Sequence, residues 1–336
     1  MRATIHSLLV FLLFAPSVIH AQRTSTLTRI AFGSCSKQDS AQIWKAVVSQ
    51  QPQLWIWLGD NIYADTHDPV FMRSYYNKQK HNPDYLQLVK TCPVIGIWDD
   101  HDYGQNDGGK YYSRKKESKE ELLRFLDVPA NDPVRNHEGV YSSHTYGNGR
   151  QKIKIILLDT RAFRDTLIKS TVKGRKYEVN PDGDILGEEQ WKWLEKELTN
   201  SDAAIHLIGS GVQFISNEHT NEKWGNFPKS RQRMLSLLAK LKPSHPIILS
   251  GDRHMAEFSR MTIDGLPYPL FDFTSSGLTH TWAYKTLTEP NEHRVGKMII
   301  AKNFGMLLID WSGKEPTVTM EIHGPTGEIL ETTFAR

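Results

Sequence analysis

The sequence predicts an α/β fold. Short apolar runs end in polar or glycine punctuation, and helical patterns lie between them. The C-terminal part differs, with apolar runs split by glycine turns and no helix, the pattern of antiparallel strands closing a sheet edge.

Taken in order, Thr28–Phe32, Leu54–Leu58, Val94–Trp98, Ile153–Leu158, Ile205–Ile208 and Ile247–Leu249 are runs too short for helices, and each reads as a buried strand. Ala41–Gln50 carries apolar residues at helical spacing. Glu188–Leu198 puts Trp191, Leu194 and Leu198 on one face and charges on the other. Ser230–Leu241 repeats that pattern until Pro243 stops it. Met306–Asp310, Thr317–Ile322 and Ile329–Phe334 supply the edge strands. Two polar, tyrosine-rich segments, Thr66–Lys90 and Asp102–Asn136, lie near the motifs described next and are expected to cover the site. No repeat or linker divides the chain, so residues 22–336 are expected to form one domain.

Bulk properties exclude some classes. At 336 residues, 39% hydrophobic and 24% charged, the chain can bury a large core. A dispersed net charge of +3 does not indicate a nucleic-acid partner. The first residues combine Arg2, an apolar run from Leu8 to Phe14 and small residues up to Ala21, which is the layout of a signal peptide spanning residues 1–21. Export to the periplasm or exterior follows as an expectation. The run is too short to span a bilayer, so no stable membrane anchor is expected. Of the two cysteines, Cys92 reads as a buried small hydrophobe, whereas Cys35 is either a ligand or half of a disulfide. Oligomeric state is left open.

The strand ends carry the chemistry. Gly33-Ser34-Cys35 follows the first run and Gly59-Asp60-Asn61-Ile62-Tyr63-Ala64-Asp65 the second. Asp99-Asp100-His101-Asp102 follows the third, and Ser250-Gly251-Asp252-Arg253-His254 closes Ile247–Leu249. Ligands of α/β folds gather at the carboxyl ends of strands. Asp99, Asp100 and Asp102, crowded beside a buried run, repel one another unless a cation neutralises them, and hard oxygen donors suit calcium, magnesium or manganese. Asp60 can bridge two metals, and the phenolate of Tyr63 is a strong ligand for ferric iron. Asp252 and His254 alternate along the chain and can face one side. Cys35 offers a soft thiolate, useful for iron or zinc. This mixed set is not that of a closed structural zinc site. Arg161 and Arg164, after another strand end, either contact phosphate or brace Asp159 and Asp165. Trp224, Phe227 and Trp282 are candidates for an aromatic rim or for packing, and His280 has no assigned role.

These motifs resemble the alkaline phosphatase D (PhoD-like) family of metallophosphoesterases: FGSC at Phe32–Cys35, GDNIYAD at Gly59–Asp65, WDDHD at Trp98–Asp102, LDTRAFRD at Leu158–Asp165, GEEQWKWLE at Gly187–Glu195, SGDRH at Ser250–His254 and TSSGLTHTW at Thr274–Trp282. The resemblance implies a four-layer α/β/β/α sandwich of two mixed sheets, with metals at the strand carboxyl ends. It implies ferric iron on Cys35, Asp60, Tyr63 and His254, and calcium on the acidic side, where Asp60, Asp100 and Asp252 match, with Asp99 beside them. Zinc, manganese or magnesium are the alternatives. His101 matches the histidine that faces substrate. The family's larger members carry an extra β domain before FGSC, for which this chain has no room.

The expected activity is hydrolysis of a mono- or diester of phosphate by a metal-activated hydroxide or oxide, with His101, Asp60 and Arg161 as catalytic candidates. Three alternatives remain: a phosphodiesterase or phospholipase D-like hydrolase, a non-haem iron oxygenase, and a catalytically silent metal-binding protein.

Overall fold

Leu54-Trp55-Ile56-Trp57-Leu58 shows how the layers arise. Successive side chains of a strand point to opposite faces, so Trp55 and Trp57 share one face and the three aliphatic residues the other. Both faces are fully buried, and a strand buried on both sides belongs inside a layered sandwich.

The computed structural model describes residues 25–199, 201–282 and 289–335. The expected leader, residues 1–21, lies outside them. In chain order the elements begin with β1 (Arg29–Gly33), α1 (Trp44–Ser49), β2 (Leu54–Leu58), α2 (Pro69–Lys80), α3 (Pro83–Thr91), β3 (Val94–Ile97), α4 (Asp100–Tyr103) and α5 (Lys115–Phe125). Next come β4 (Ser142–Tyr146), β5 (Ile153–Leu157), β6 (Ile168–Lys169), β7 (Tyr177–Glu178), α6 (Gly187–Thr199), β8 (Ile205–Ser210) and α7 (Pro228–Leu241). The chain ends with β9 (Pro246–Ser250), β10 (Ala256–Met261), β11 (Leu270–Ser275), β12 (Arg294–Ile299), β13 (Phe304–Asp310), β14 (Thr317–His323) and β15 (Ile329–Ala335).

Two large mixed sheets result. The first has the order β15-β14-β13-β1-β2-β3, the second β12-β10-β11-β9-β8-β5-β4. Strands β1, β2 and β3 run parallel, as do β5, β8, β9 and β11. The tail strands β13, β14 and β15 are antiparallel and form one edge of the first sheet, as the glycine-split pattern predicts. The sheets meet face to face. Phe32 of β1 packs edge-on to Phe273 of β11 at 4.7 Å between ring centroids. Outside the first sheet, Trp55 and Trp57 meet Trp44 of α1, and Trp57 also meets Tyr85 of α3 and Phe125 of α5. Outside the second, Ile156, Ile208 and Ile248 pack with Trp191 and Leu194 of α6 and Met234 and Leu238 of α7. The order is helices, sheet, sheet, helices: the four-layer sandwich.

One expectation is corrected. The two tyrosine-rich segments do not simply cover the site, because α2, α3 and α5 build the outer helical layer of the first sheet, where Tyr76 stacks on Phe125 at 4.8 Å. Helices α2 and α3 start at Asp68-Pro69 and Asn82-Pro83. Each Asx side chain accepts two backbone N–H bonds, and the proline occupies the first turn, where its missing donor costs nothing. Cys35 and Cys92 are both buried and free, so no disulfide joins them.

Candidate metal centre

Parallel strands place their carboxyl ends on one side, and here the ends of β1, β2 and β3 meet that of β9. The approach is close. A Cβ on Gly59 would lie 2.3 Å from Asp99 Cβ, and one on Gly251 would lie 2.8 Å from the Leu58 carbonyl oxygen, so neither position admits a larger residue. The chain then turns through left-handed conformations at non-glycine residues: Cys35 (φ 61), Asp60 (φ 49), Asp252 (φ 68) and His254 (φ 52). Each costs backbone energy of order 1 kcal/mol or more, and such strain collects where side-chain placement matters.

Four expected ligands converge. Tyr63 Oη lies 3.1 Å from Asp60 Oδ2 and 3.0 Å from His254 Nε2, and Cys35 Sγ is 3.5 Å from the same Asp60 oxygen. Ligand atoms of Cys35, Asp60 and His254 lie within 4.8 Å of one another. Two further groups meet the same limit, Asp60 with Asp100 and His101, and Asp99 with Asp100 and Asp252. Asp60 therefore stands in two of the three groups, one with the thiol and imidazole and one with Asp100, and Asp100 in turn joins the all-carboxylate group.

Electrostatics explain why these groups fit cations. Among protein groups alone, burial followed by the neighbouring carboxylates pushes Asp252 up to about 7, and burial pushes Asp60 and Asp99 well above the usual carboxylate range despite His101 and Arg161. Burial and the nearby carboxylates also raise Cys35 and Tyr63. Asp100 goes the other way: burial opposes it, but Arg161 and His101 hold it ionised. Burial, with His280 and His101 alongside, lowers His254 to about 3 and leaves a neutral imidazole ready to ligate. Asp99 Oδ2 is buried with no hydrogen-bond partner. An unpartnered carboxylate oxygen, three mutually repelling acids and a thiol–phenol–imidazole set are chemically suited to bound cations, with harder donors around Asp99, Asp100 and Asp252 and softer ones around Cys35.

The remaining members of the motifs divide into supports and walls. Asp102, the third acid of WDDHD, accepts backbone N–H bonds from Asp60 (3.1 Å), Asn61 (3.2 Å) and Asp99 (2.6 Å), and a bond from Tyr76 Oη (3.2 Å). It ties two strand ends together. Arg161 is fully buried. Its Nε donates to Asp99 Oδ1 and its Nη1 to Glu222 Oε2, each at 2.6 Å. The bracing expected of Arg161 and Arg164 exists, but with other partners: Arg164 Nε lies 2.8 Å from Glu222 Oε1, while the Asp159 side chain accepts N–H bonds from Val140, Arg161 and Ala162. Arg161 therefore positions Asp99 and does not line the open pocket. Trp224 and Phe227 are fully buried under the second sheet and form no rim.

An open pocket of about 590 Å³ reaches the cluster, lined by Lys37, Tyr63, Asp65, His101, His254, His280, Thr281 and Trp282. Asp65 Oδ2 lies 2.7 Å from His101 Nδ1, and the His101 ring packs tilted against Tyr63, 4.1 Å between centroids. Burial disfavours the imidazolium, yet Asp60, Asp65 and Asp100 outweigh it and lift His101 to about 10. His280 Nε2 is 3.2 Å from Tyr63 Oη. Sequence reasoning gave no role to Asp65 or Glu222 and none to His280. Asp65 lay within a quoted motif, but Glu222 carries no local signal.

Residues 30–314 match the family described as PhoD-like phosphatase. Alkaline phosphatase D of Bacillus subtilis (strain 168) is 23% identical over 290 residues, covering 73% of this chain and 48% of that protein. The chain thus spans about half the length of the curated relative it matches. The solved structure of PhoD aligns with a TM-score of 0.71 at 17% identity, over 93% of this chain and 69% of that one, a likeness of fold.

Proposed function

The chain belongs to the PhoD-like phosphatase family, and from that premise we propose that it is an exported, metal-dependent phosphoester hydrolase of the alkaline phosphatase D type. The observation that carries the reading is the shared carboxylate. Asp60 groups with Cys35 and His254 and also with Asp100, a member of the all-carboxylate group, the linkage a two-cation phosphoesterase needs.

Cys35, Asp60, Tyr63 and His254 would hold ferric iron, and Asp60, Asp99, Asp100 and Asp252 would hold calcium. When bound, such cations supply Lewis-acid neutralisation of the phosphoryl oxygens and a lowered pKa for the attacking water. The protein's own groups do the rest. His101, oriented by Asp65, whose carboxylate favours the imidazolium, stands in the pocket wall where it can give a proton to the leaving oxygen. Lys37 adds positive charge at the mouth, 5.1 Å from the centroid of the Tyr63 ring. Arg161 and Asp102 keep the acids in place. Export rests on the leader-like residues 1–21; among the described residues no helix is long and apolar enough to cross a membrane.

Phosphate release from p-nitrophenyl phosphate and its bis ester, measured before and after chelator treatment with elemental analysis of the purified protein, tests this. Activity that tracks bound iron and calcium is expected. Full activity in metal-stripped protein would defeat the proposal.

A further inference from the structure

A second cleft, also of about 590 Å³, opens between the loop after α4 and the β6–β7 hairpin, and none of its lining residues lines the His101 pocket. Its wall is joined to the acidic cluster by one residue. The Asp107 backbone N–H donates to Asp100 Oδ2 at 2.8 Å, while Asp107 Oδ2 accepts from Tyr177 Oη at 2.6 Å and from Lys176 Nζ at 2.8 Å. The Lys176 ammonium, which burial disfavours, is raised by Asp107 and further by Asp252 and Asp100, so it lies within the field of the acidic half. Lys169 also lines the cleft and forms no ion pair among the described residues. Arg164 is spent on Glu222 and on the carbonyls of Asp107 and Gly108. The cleft lining therefore carries Lys169 and Lys176 against the single carboxylate of Asp107, which Lys176 pairs. Tyr111, three-quarters exposed, and Tyr177 add aromatic surface.

We propose that this cleft is a second subsite, which holds an anionic group carried by the substrate beyond the scissile phosphate, on a ring-bearing segment such as a nucleotide or sugar phosphate. The proposal rests on the phosphoesterase reading and deepens it. A concave, tyrosine-lined cleft one residue from Asp100 suits a discrete group of the substrate, and Lys169 is its free cation. Lys173, on the hairpin between β6 and β7 but outside the cleft lining, serves as the control for a general field effect.

The test compares the full chain with its Lys169→Glu and Lys173→Glu variants on p-nitrophenyl phosphate and adenosine 3′,5′-bisphosphate. With Lys169→Glu, KM for the bisphosphate should rise about tenfold or more, with kcat and the p-nitrophenyl phosphate KM within about twofold. Lys173→Glu should leave both substrates unchanged. An unmoved bisphosphate KM, an equal rise for both substrates, or an equal effect of Lys173→Glu would each overturn the proposal, the last two pointing to a diffuse charged surface. If the wild-type chain hydrolyses neither compound, the phosphoesterase reading fails by itself. The cleft is then judged by protection: adenosine 3′,5′-bisphosphate should shield Lys169, and not Lys173, from reductive methylation read by mass spectrometry, and absence of shielding sinks the subsite.

Discussion

The two halves of the cluster are held in place by different means. Around Cys35, Asp60 and His254 the backbone does the placing, since all three sit in left-handed conformations just past strand ends. Around Asp99 and Asp100 the backbone is ordinary, and charge does the placing: Arg161 grips Asp99 at 2.6 Å and stands 4.0 Å from Asp100, with Glu222 behind it. Asp252, with φ 68, shares the first device while its carboxylate joins the second half. The donors differ in parallel. One half mixes thiol, phenol, imidazole and carboxylate, and the other is all carboxylate, so the two should prefer different cations. A strained turn fixes direction without adding charge, which suits a half whose thiol and phenol must themselves become anions. An arginine brace offsets charge, which suits a half already crowded with acids.

Four tests would break or sharpen that contrast. Asp60→Asn should do the most, because Asp60 groups with Cys35 and His254 and also with Asp100 of the acidic half. Iron and calcium should disappear together by elemental analysis, and turnover should fall well beyond the roughly 100-fold that loss of an outer partner costs. Retention of either metal at full occupancy would show that the halves are independent. Next comes a pair that should split them. Tyr63→Phe should abolish the visible charge-transfer absorption expected of a ferric phenolate while calcium stays, and Asp252→Asn should do the reverse. A shared loss in both variants would mean that one half cannot form without the other. Arg161→Met is third. It strands Asp99 without its guanidinium and leaves Glu222 with Arg164 alone, so denaturant unfolding should show a loss of about 3–5 kcal/mol, and calcium affinity should weaken about 10–100-fold. Iron affinity should move less than calcium affinity.

The contrast also explains what could be read from sequence. β2 has the bounds its apolar run predicts, Leu54–Leu58, because alternation and punctuation are local properties. The candidate ligands after each strand are legible for the same reason: a strand end followed by acid, thiol or imidazole is a contiguous pattern. The braces are not. Glu222 reaches Arg161 and Arg164 across about sixty residues of chain, and nothing near it in sequence distinguishes it from a surface glutamate. Within Asp99-Asp100-His101-Asp102, composition could not tell that Asp102 would turn inward to collect N–H bonds while its neighbours gathered with Asp252. Helices α2 and α3 went unread although Asp68-Pro69 and Asn82-Pro83 are cap signals, because their polar, tyrosine-rich composition masked the helical spacing.

The smallest expected effect belongs to the wall that both halves share. Asp65 acts through His101, as one of the carboxylates that raise its pKa against the opposing effect of burial. A group that donates a proton to the leaving oxygen must be protonated, so turnover should fall as pH rises through the His101 pKa, which cations on Asp60 and Asp100 bring below the value that the protein groups alone set. Asp65→Asn removes part of the stabilisation of the imidazolium but leaves Asp60 and Asp100. The His101 pKa then drops, and the alkaline fall in kcat should begin at lower pH, while turnover well below it loses only a small part of the roughly 10²–10⁴-fold a general acid supplies. A pH–rate profile of the variant beside wild type measures this, and His101→Gln should erase the limb. An alkaline limb that stays in place after Asp65→Asn would assign it to another group and leave His101 as a support for Asp60 and Asp100.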